Sequence, residues 1–254
     1  MATEQIILPE VNILKKEKNQ VTFSIEPLSP GYGVTVGNAL RRVLLSSLEG
    51  AAIYAVKISG VTHEFTTLPG IKEDLVTLIL NVKTLNLAIE TDEEVTLQLE
   101  SKGQGTIKAS DIKVPSGCKI TNPNLEIAHL EKGGKLSMEL FANRGMGYVP
   151  NEKRDEKKYP LETILIDSIY TPIEKVNFKV ENMRVGQATN YNRLLLDVTT
   201  NDTISAEEAL KKAAKILSAQ FETIDSNIQL ASAEKPKKSK KESKKAPKTK
   251  TKKK

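Results

Sequence analysis

Gly31-Tyr-Gly-Val-Thr-Val-Gly-Asn-Ala-Leu-Arg-Arg-Val-Leu-Leu-Ser-Ser-Leu-Glu-Gly50 opens with glycines at 31, 33 and 37 and then takes on a helical pattern. At about 100° per residue the spacing predicts three or so turns of helix from Thr35 to Glu49. Val36, Ala39, Leu40, Val43, Leu44 and Leu48 share one broad face, an ordinary core-facing stripe. The opposite face carries Asn38, Arg41, Arg42 and Glu49, and Leu45 stands among them. Lone exposed leucines are common. An apolar side chain ringed by arginines is also how a protein-binding anchor looks, because Arg is enriched at interface hot spots although Leu is not. The wheel leaves both readings open.

The glycines do not make a nucleotide loop. Gly31-x-Gly33-x-x-x-Gly37 misses the G-x-G-x-x-G spacing, and the proline-rich Glu26-Pro-Leu-Ser-Pro30 stands where a buried parallel strand is needed. No G-x-x-x-x-G-K-[ST] occurs in the chain. A tight entry into the helix is the reading that remains for these glycines.

On either side the chain alternates as strands do. Val21–Ile25 reads as a strand broken by the two prolines, and residues 51–59 read as another. Residues 71–85 form a second helical candidate, with Ile71, Leu75, Leu78, Ile79, Val82 and Leu85 at helical spacing. Its acids, Glu73 and Asp74, open it and Lys83 closes it, as the helix dipole favours. The middle is rich in strands: residues 94–100 and 135–140 alternate cleanly, with glycines marking turns between. Residues 151–158 read as a charged loop, and residues 161–169 are apolar and fit helix or strand equally. Two further strands are expected near 175–180 and 193–198.

The last element is the most regular. Ser205-Ala-Glu-Glu208 has capping-box spacing. From there Leu210, Ala214, Leu217, Phe221, Ile224, Ile228 and Ala231 recur in alternating steps of four and three, an a/d seam over three heptads. Ala213 and Ile216 widen the stripe. Such a seam calls for a partner helix. The first helix, the 71–85 helix and a second copy of the chain are the candidates, so a homodimer is expected; packing on the chain's own sheet would explain about half the stripe.

Composition narrows the chemistry. The chain has 254 residues, ample for a core, and a formal charge of +6. That charge is a property of the tail, because residues 235–254 hold twelve lysines and one acid, leaving 26 basic and 31 acidic side chains in residues 1–234, or −5. Bulk charge therefore gives the body no affinity for nucleic acid. The tail is expected to be disordered. It reads either as a solubilising extension or as a weak, salt-dependent binder of phosphates such as DNA. The single Cys118 excludes an intrachain disulfide, fits a reducing compartment and lies in a turn. His63 and His129 stand apart, and His63-Glu64 lacks the second histidine of H-E-x-x-H because position 67 is Thr. No aspartate cluster for magnesium is visible, and aromatic residues are too few, at 4%, to build base-stacking platforms. The chain is thus expected to carry no catalytic residues, no metal and no cofactor. No apolar run reaches the ~18 residues of a membrane span, and the first residues lack a signal-peptide pattern. A soluble, cytoplasmic protein is expected.

The stretch G-x-G-x-T-x-G-N-A-L-R-R-V-L-L-S-S-x-x-G resembles the signature of the N-terminal domain of the bacterial RNA polymerase alpha family. The likeness continues through Val61–Phe65, Ile71–Leu75, Arg144–Pro150, Tyr170–Pro172, Val185–Gln187 and Thr200–Ile204, in order and spacing from about 20 to 230. The resemblance implies an α+β fold with two subdomains: residues 1–50 and 174–233 as a helix-plus-sheet dimerisation subdomain, and residues 51–173 as a β-rich insertion, with 234–254 as a lysine-rich tail. It implies a homodimeric scaffold, without an active site, that binds the beta and beta-prime subunits of a DNA-directed RNA polymerase. Carried over residue by residue, it gives Arg42 and Leu45 as the beta contact, with Arg41 and Ser46 beside them. Lys83, Ile166 and Asp167 become the beta-prime contact. Leu210, Ala214, Leu217, Phe221, Ile224 and Ile228 become the dimerisation seam. Family members continue into a helical domain that binds promoter DNA and activators, and here a lysine tail stands in its place. Residues 155–158 are mixed in sign where some members are acidic and meet an activator. Neither of those contacts is expected. The rival reading is a small nucleic-acid-binding module acting through the tail.

Overall fold

The structure, a computed structural model, describes residues 8–61, 65–154, 159 and 162–233, with side chains to 228. His63, Glu64, residues 155–158, Leu161, the side chain of Ala231 and the lysine tail lie outside the described residues. In chain order the elements are β1 (Glu10–Lys16), β2 (Gln20–Leu28), α1 (Tyr32–Ser46), β3 (Glu49–Ile58), α2 (Leu75–Lys83), β4 (Leu87–Ile89) and β5 (Val95–Lys102). There follow β6 (Gly105–Lys108), β7 (Cys118–Ile120), β8 (Glu126–Leu130), β9 (Lys135–Met146), β10 (Tyr148–Val149), β11 (Thr163–Leu165) and β12 (Ser168–Ile169). β13 (Ile173–Val185), β14 (Ala188–Thr200) and α3 (Ala206–Ala233) complete the chain. The fold is α+β. Residues to Leu217 form one unit. The described part of the second is the α3 segment from Ser218.

Two antiparallel sheets organise the first unit. One runs β1-β2-β14-β13. Its apolar face meets α1 and the start of α3 around Val21, Phe23, Ile25, Leu194, Leu196, Val198, Leu40, Leu44 and Leu210. Its other face is polar, with Thr22 donating to Asp197 at 2.6 Å and Arg193 paired with Glu26. One face buried and one wet is what the alternating sequence of an antiparallel sheet specifies. The other sheet runs β5-β9-β3-β4-β7, with β11 added beside β3. Together with α2 it encloses a separate core that includes Ile53, Val56, Leu78, Val82, Leu97, Leu99 and Leu140. The ambiguous run 161–169 supplies the short strands β11 and β12.

Local chemistry sets where the helices begin and end. α1 starts at Tyr32, a turn earlier than the apolar spacing suggests. Gly31 takes a left-handed φ of 83°, and α1 has no side-chain cap of its own. Asn192, from β14, accepts the backbone N–H groups of Gly31 at 2.9 Å and Gly33 at 3.3 Å. A distant residue thus satisfies donors that every helix start leaves open. α1 stops at Ser46, and Glu49, expected at its end, pairs with Met146 in β3–β9. α2 is shorter than 71–85 at both ends. Asp74 caps it by accepting from the Thr77 N–H at 3.2 Å, while Ile71 is bridged to Leu130. β2 continues through Pro27, which the sequence reads as a break. Its pairing with β14 is irregular there: three steps of β2, from Leu28 to Ile25, face two of β14, from Asn192 to Leu194, and a bulge is where a strand tolerates proline.

Only one of the three glycines serves the helix entry. A Cβ on Gly33 would lie 2.6 Å from Val180 Cγ1, and one on Gly37 would lie 2.7 Å from the Phe178 ring. Both positions let α1 lie directly on β13, an approach no other residue permits without movement.

Replacing Asn192 by Ala leaves two helix-start donors without their acceptor. A loss of about 1–2 kcal/mol of stability is expected, read as a lower urea midpoint with an unchanged slope. An unchanged midpoint would show that the cap contributes nothing.

Candidate docking surfaces

Three surfaces collect the residues singled out by sequence. The first is the outward face of α1. Leu40 and Leu44 are buried beneath it and Leu48 follows just past its end, each worth about 1.5–3 kcal/mol of burial. Together with the glycine contacts they fix the rotation of the helix on its sheet. Arg41, Arg42 and Ser46 are then exposed. Leu45 is placed differently from the stranded position the wheel gives it: it is half-buried, with its inner side against the core. It sits about a quarter-turn from the buried stripe, on the flank, whereas Arg42 points away from the sheet. α1 contains no acidic residue. Among the described residues neither Arg41 nor Arg42 has an ion-pair partner. Ser46 donates its hydroxyl to the Arg42 carbonyl at 2.7 Å, which secures the last turn. The result is a positive, rigid surface with an apolar shoulder at Leu45.

The second surface brings Lys83 and Asp167 together. The last residue of α2 donates from Nζ to Asp167 Oδ2 at 3.3 Å, across 84 residues of sequence. Asp167 Oδ1 accepts the Asn151 N–H at 3.0 Å. That backbone bond, with bonds from Lys83 and Tyr148, holds the Asp167 carboxyl below its ordinary range despite partial desolvation. Ile166, expected to share this surface, is buried, and its N–H donates to the Tyr54 carbonyl at 2.9 Å. It lies in the short link between β11 and β12, packed into the core of the six-stranded sheet, and so supports Asp167 from beneath. Behind them Tyr170 donates to Asn143 at 2.6 Å, Arg154 donates to the Tyr170 hydroxyl at 2.7 Å and to Ser168 at 3.1 Å, and Ser168 donates to the Ile53 carbonyl. The sequence motifs at 144–150 and 170–172 mark these segments. Their spacing gives no sign that Tyr148, Arg154 and Tyr170 build the mount for Asp167.

The third surface is the seam of α3. Ser205 caps the helix by accepting the Glu208 N–H at 3.2 Å, and Lys212 pairs with Glu208 one turn on. Ala206, Ala209, Leu210 and Ala213 are buried, and Leu217 is half-buried against the same core. Ala214 is exposed. In the second unit Phe221, Ile224 and Ile228 are all exposed. The regular seam therefore divides: Leu210 is buried against its own sheet, and Phe221, Ile224 and Ile228 are exposed.

Cys118 is half-buried, which pushes its thiol pKa up, the reverse of an activated nucleophile. His129 is engaged by Glu73, through the ring Nδ1 at 2.6 Å and through its own N–H at 2.8 Å, and so ties β8 to the lead-in of α2. Among the described residues no cluster of His, Cys, Asp or Glu could hold a metal ion, and no helix is long and apolar enough to cross a membrane.

Comparison with known proteins places this surface in context. The family described as the RNA polymerase Rpb3/RpoA insert domain matches residues 56–171. The DNA-directed RNA polymerase subunit alpha of Carboxydothermus hydrogenoformans is 47% identical over 213 residues, covering 84% of this chain and 68% of the relative. The subunit of the same name from Desulforamulus reducens is 47% identical over 216 residues, 84% of this chain and 69% of the relative. That of Clostridium perfringens is 50% identical over 199 residues, 78% and 63% respectively.

The Asp167 mount carries its own pH signature. A carboxyl with a lowered folded pKa contributes stability that is fully present above the ordinary value of about 3.9 and is lost as pH falls through the lower folded value. Asp167→Asn is expected to lower the thermal midpoint by a constant amount between pH 7 and 5, with the gap to wild type closing below about pH 4. A gap of the same size at pH 3 would mean that the charge plays no part.

Proposed function

This chain belongs to the DNA-directed RNA polymerase alpha subunits, and we propose that within that enzyme it is a homodimeric assembly scaffold without chemistry of its own. Residues 1–50 and 174–233 form the dimerisation subdomain in this reading, and residues 51–173 form the insertion. Separate cores around the two sheets support that division. Two copies pair, and each offers an α1 face; the dimer thereby holds one beta and one beta-prime subunit side by side. Residence in the cytoplasm follows from this role.

The observation that carries the proposal is the state of α1. A helix with two exposed guanidiniums that have no ion-pair partner among the described residues, no acid and a half-buried Leu45 is held rigidly on its sheet. Exposed Arg beside an apolar shoulder, preorganised by packing, is what a hot spot for an acidic partner surface requires. Arg42 and Leu45 are the central beta contacts, with Arg41 and Ser46 at their edge. The Lys83–Asp167 pair is the beta-prime contact: its partners leave both groups accessible to a second hydrogen-bonding chain, and Ile166 acts only by positioning Asp167.

Co-sedimentation of the chain with a cognate beta subunit tests this. The wild type is expected to run as a dimer carrying beta. Leu45→Asp and Arg42→Ala are expected to remain folded dimers with affinity for beta lowered tenfold or more, as a loss of about 1.4 kcal/mol implies. Failure of the wild type to bind beta at all would overturn the scaffold reading, and full binding by Leu45→Asp would move the contact off α1.

A further inference from the structure

The two sheets meet at a narrow waist. The chain passes between their cores where α1 runs into β3, and again where β12 runs into β13. These crossings lie against each other, since a Cβ on Gly50 would stand 1.9 Å from the Tyr170 carbonyl oxygen. Two crossings side by side act as a hinge line and leave the angle across it open. Beside them a cleft of about 260 Å³ parts Leu87 and Ile89 of β4 from Ile204 and Glu208, on the way into α3. Apolar packing does not close the waist there.

Hydrogen bonds do, through the turn between β14 and α3. Asn201 donates its N–H to the Pro172 carbonyl at 3.1 Å, which ties the turn to the second crossing. Its own carbonyl accepts from the Thr121 hydroxyl at 3.0 Å and from Asn86 Nδ2 at 3.4 Å. Both lone pairs of one oxygen are thus taken by donors from the other sheet. Asn86 stands just before β4 and Thr121 just past β7, its antiparallel partner. The Thr121 N–H donates to the Asn86 carbonyl at 3.0 Å, and Asn122 Oδ1 accepts the Asn86 N–H at 3.0 Å. Asn122 also donates to the Thr84 carbonyl at 3.0 Å, so the end of α2 is tied into the same group. The accepting turn is equally fixed. Asn201 Oδ1 accepts both the N–H and the hydroxyl of Thr203, and Asp202 takes a left-handed φ of 63°. A non-glycine residue persists there only where its surroundings hold it.

We infer that the Asn201 turn is a clasp that sets the angle between the two sheets, with Thr121 and Asn86 as its positioning donors. This rests on the scaffold reading and deepens it. The α1 face stands on one side of the waist and the Lys83–Asp167 pair on the other. The clasp therefore fixes how the beta and beta-prime contacts are turned relative to each other, although Asn201, Thr121 and Asn86 belong to neither.

Double electron–electron resonance reads that angle. In a Cys118→Ser background, spin labels are placed on Lys102→Cys and Thr189→Cys, both exposed and on opposite sides of the waist. Doubly labelled chain is diluted into excess unlabelled chain, so that the distance within one copy dominates. The parent should give one narrow distribution. Thr121→Val combined with Asn86→Ala removes both donors and leaves the turn intact; it should keep the circular dichroism and at least double the width. Thr121→Ser, which keeps the hydroxyl, should match the parent. Without labels, the double variant should bind beta as the wild type does and take up beta-prime at least tenfold more weakly. If the double variant loses its circular dichroism, Thr121→Val alone takes its place with the same expectations. An unchanged width would overturn the clasp. A doubled width with unaltered uptake of beta-prime, or equal loss of both subunits, would overturn its positioning role. A wild-type chain that takes up neither subunit would overturn the scaffold reading, while the width would still decide the clasp.

Discussion

Everything presented outward by this protein depends on the close contact between α1 and β13. Gly33 and Gly37 let the helix backbone lie on Val180 and Phe178, with no room for even a methyl group. Asn192 holds the first turn from below, and Leu40, Leu44 and Leu48 fill the core beneath. A helix seated on side chains can rotate by several degrees as rotamers adjust; a helix seated through glycines has little such freedom. The rotation decides which groups face out. Arg42 is aimed at solvent because the opposite side of its helix is locked to the sheet, and Leu45 falls on the shoulder because it is a quarter-turn away. Affinity for a partner depends on how little ordering remains to be done at binding, and here most of it is done by folding.

The second surface follows the same logic by different means. Lys83 and Asp167 come from elements far apart in sequence, and they meet because α2 is stopped at Lys83 and β12 is tied to β3. Asp74 begins α2, Thr84 closes it by donating to the Asn81 carbonyl at 2.8 Å, and the Asn143–Tyr170–Arg154–Ser168 bonds secure the strand region. Ile166 pins Asp167 from inside. Such partly exposed ion pairs contribute little to stability by themselves. Their value lies in presenting a fixed charge pattern. The proposed scaffold role asks for fixed geometry, and both surfaces are held rigidly.

Much of this was legible in the chain. The clean alternation in residues 94–100 and 135–140 gives β5 and the start of β9, and Ser205–Glu208 gives the start of α3, because in each case the determining partner is local. The errors fall where it is not. Apolar spacing puts the start of α1 one turn late because the acceptor for its first N–H groups is Asn192, which no periodicity can reveal. Gly33 and Gly37 look like helix-entry residues in the sequence, while their true constraint is the strand they touch. The strand break expected at Pro27 does not occur, since Pro27 falls in a bulge of β2 opposite β14. Leu45 looked stranded because a wheel has no flank, only an inside and an outside. The run at 161–169, apolar on both readings, became two strands through pairing with β3 and β10, and this placed Ile166 inside. The α3 seam is legible as a pattern, and so is the option that half of it packs on the chain's own sheet, but the place of the division at Leu217 is not, since the residue types are alike on both sides.

The central claim is that the outward face of α1 is where a partner subunit docks, and residue-specific photo-crosslinking tests it most directly. A benzophenone side chain placed at position 42, in the chain assembled with its polymerase partners, should give a covalent product with the beta subunit. The same group at the exposed position 102, at the end of β5, should give none. A complete assembly in which position 42 yields no product with beta, while position 102 does, would contradict the account.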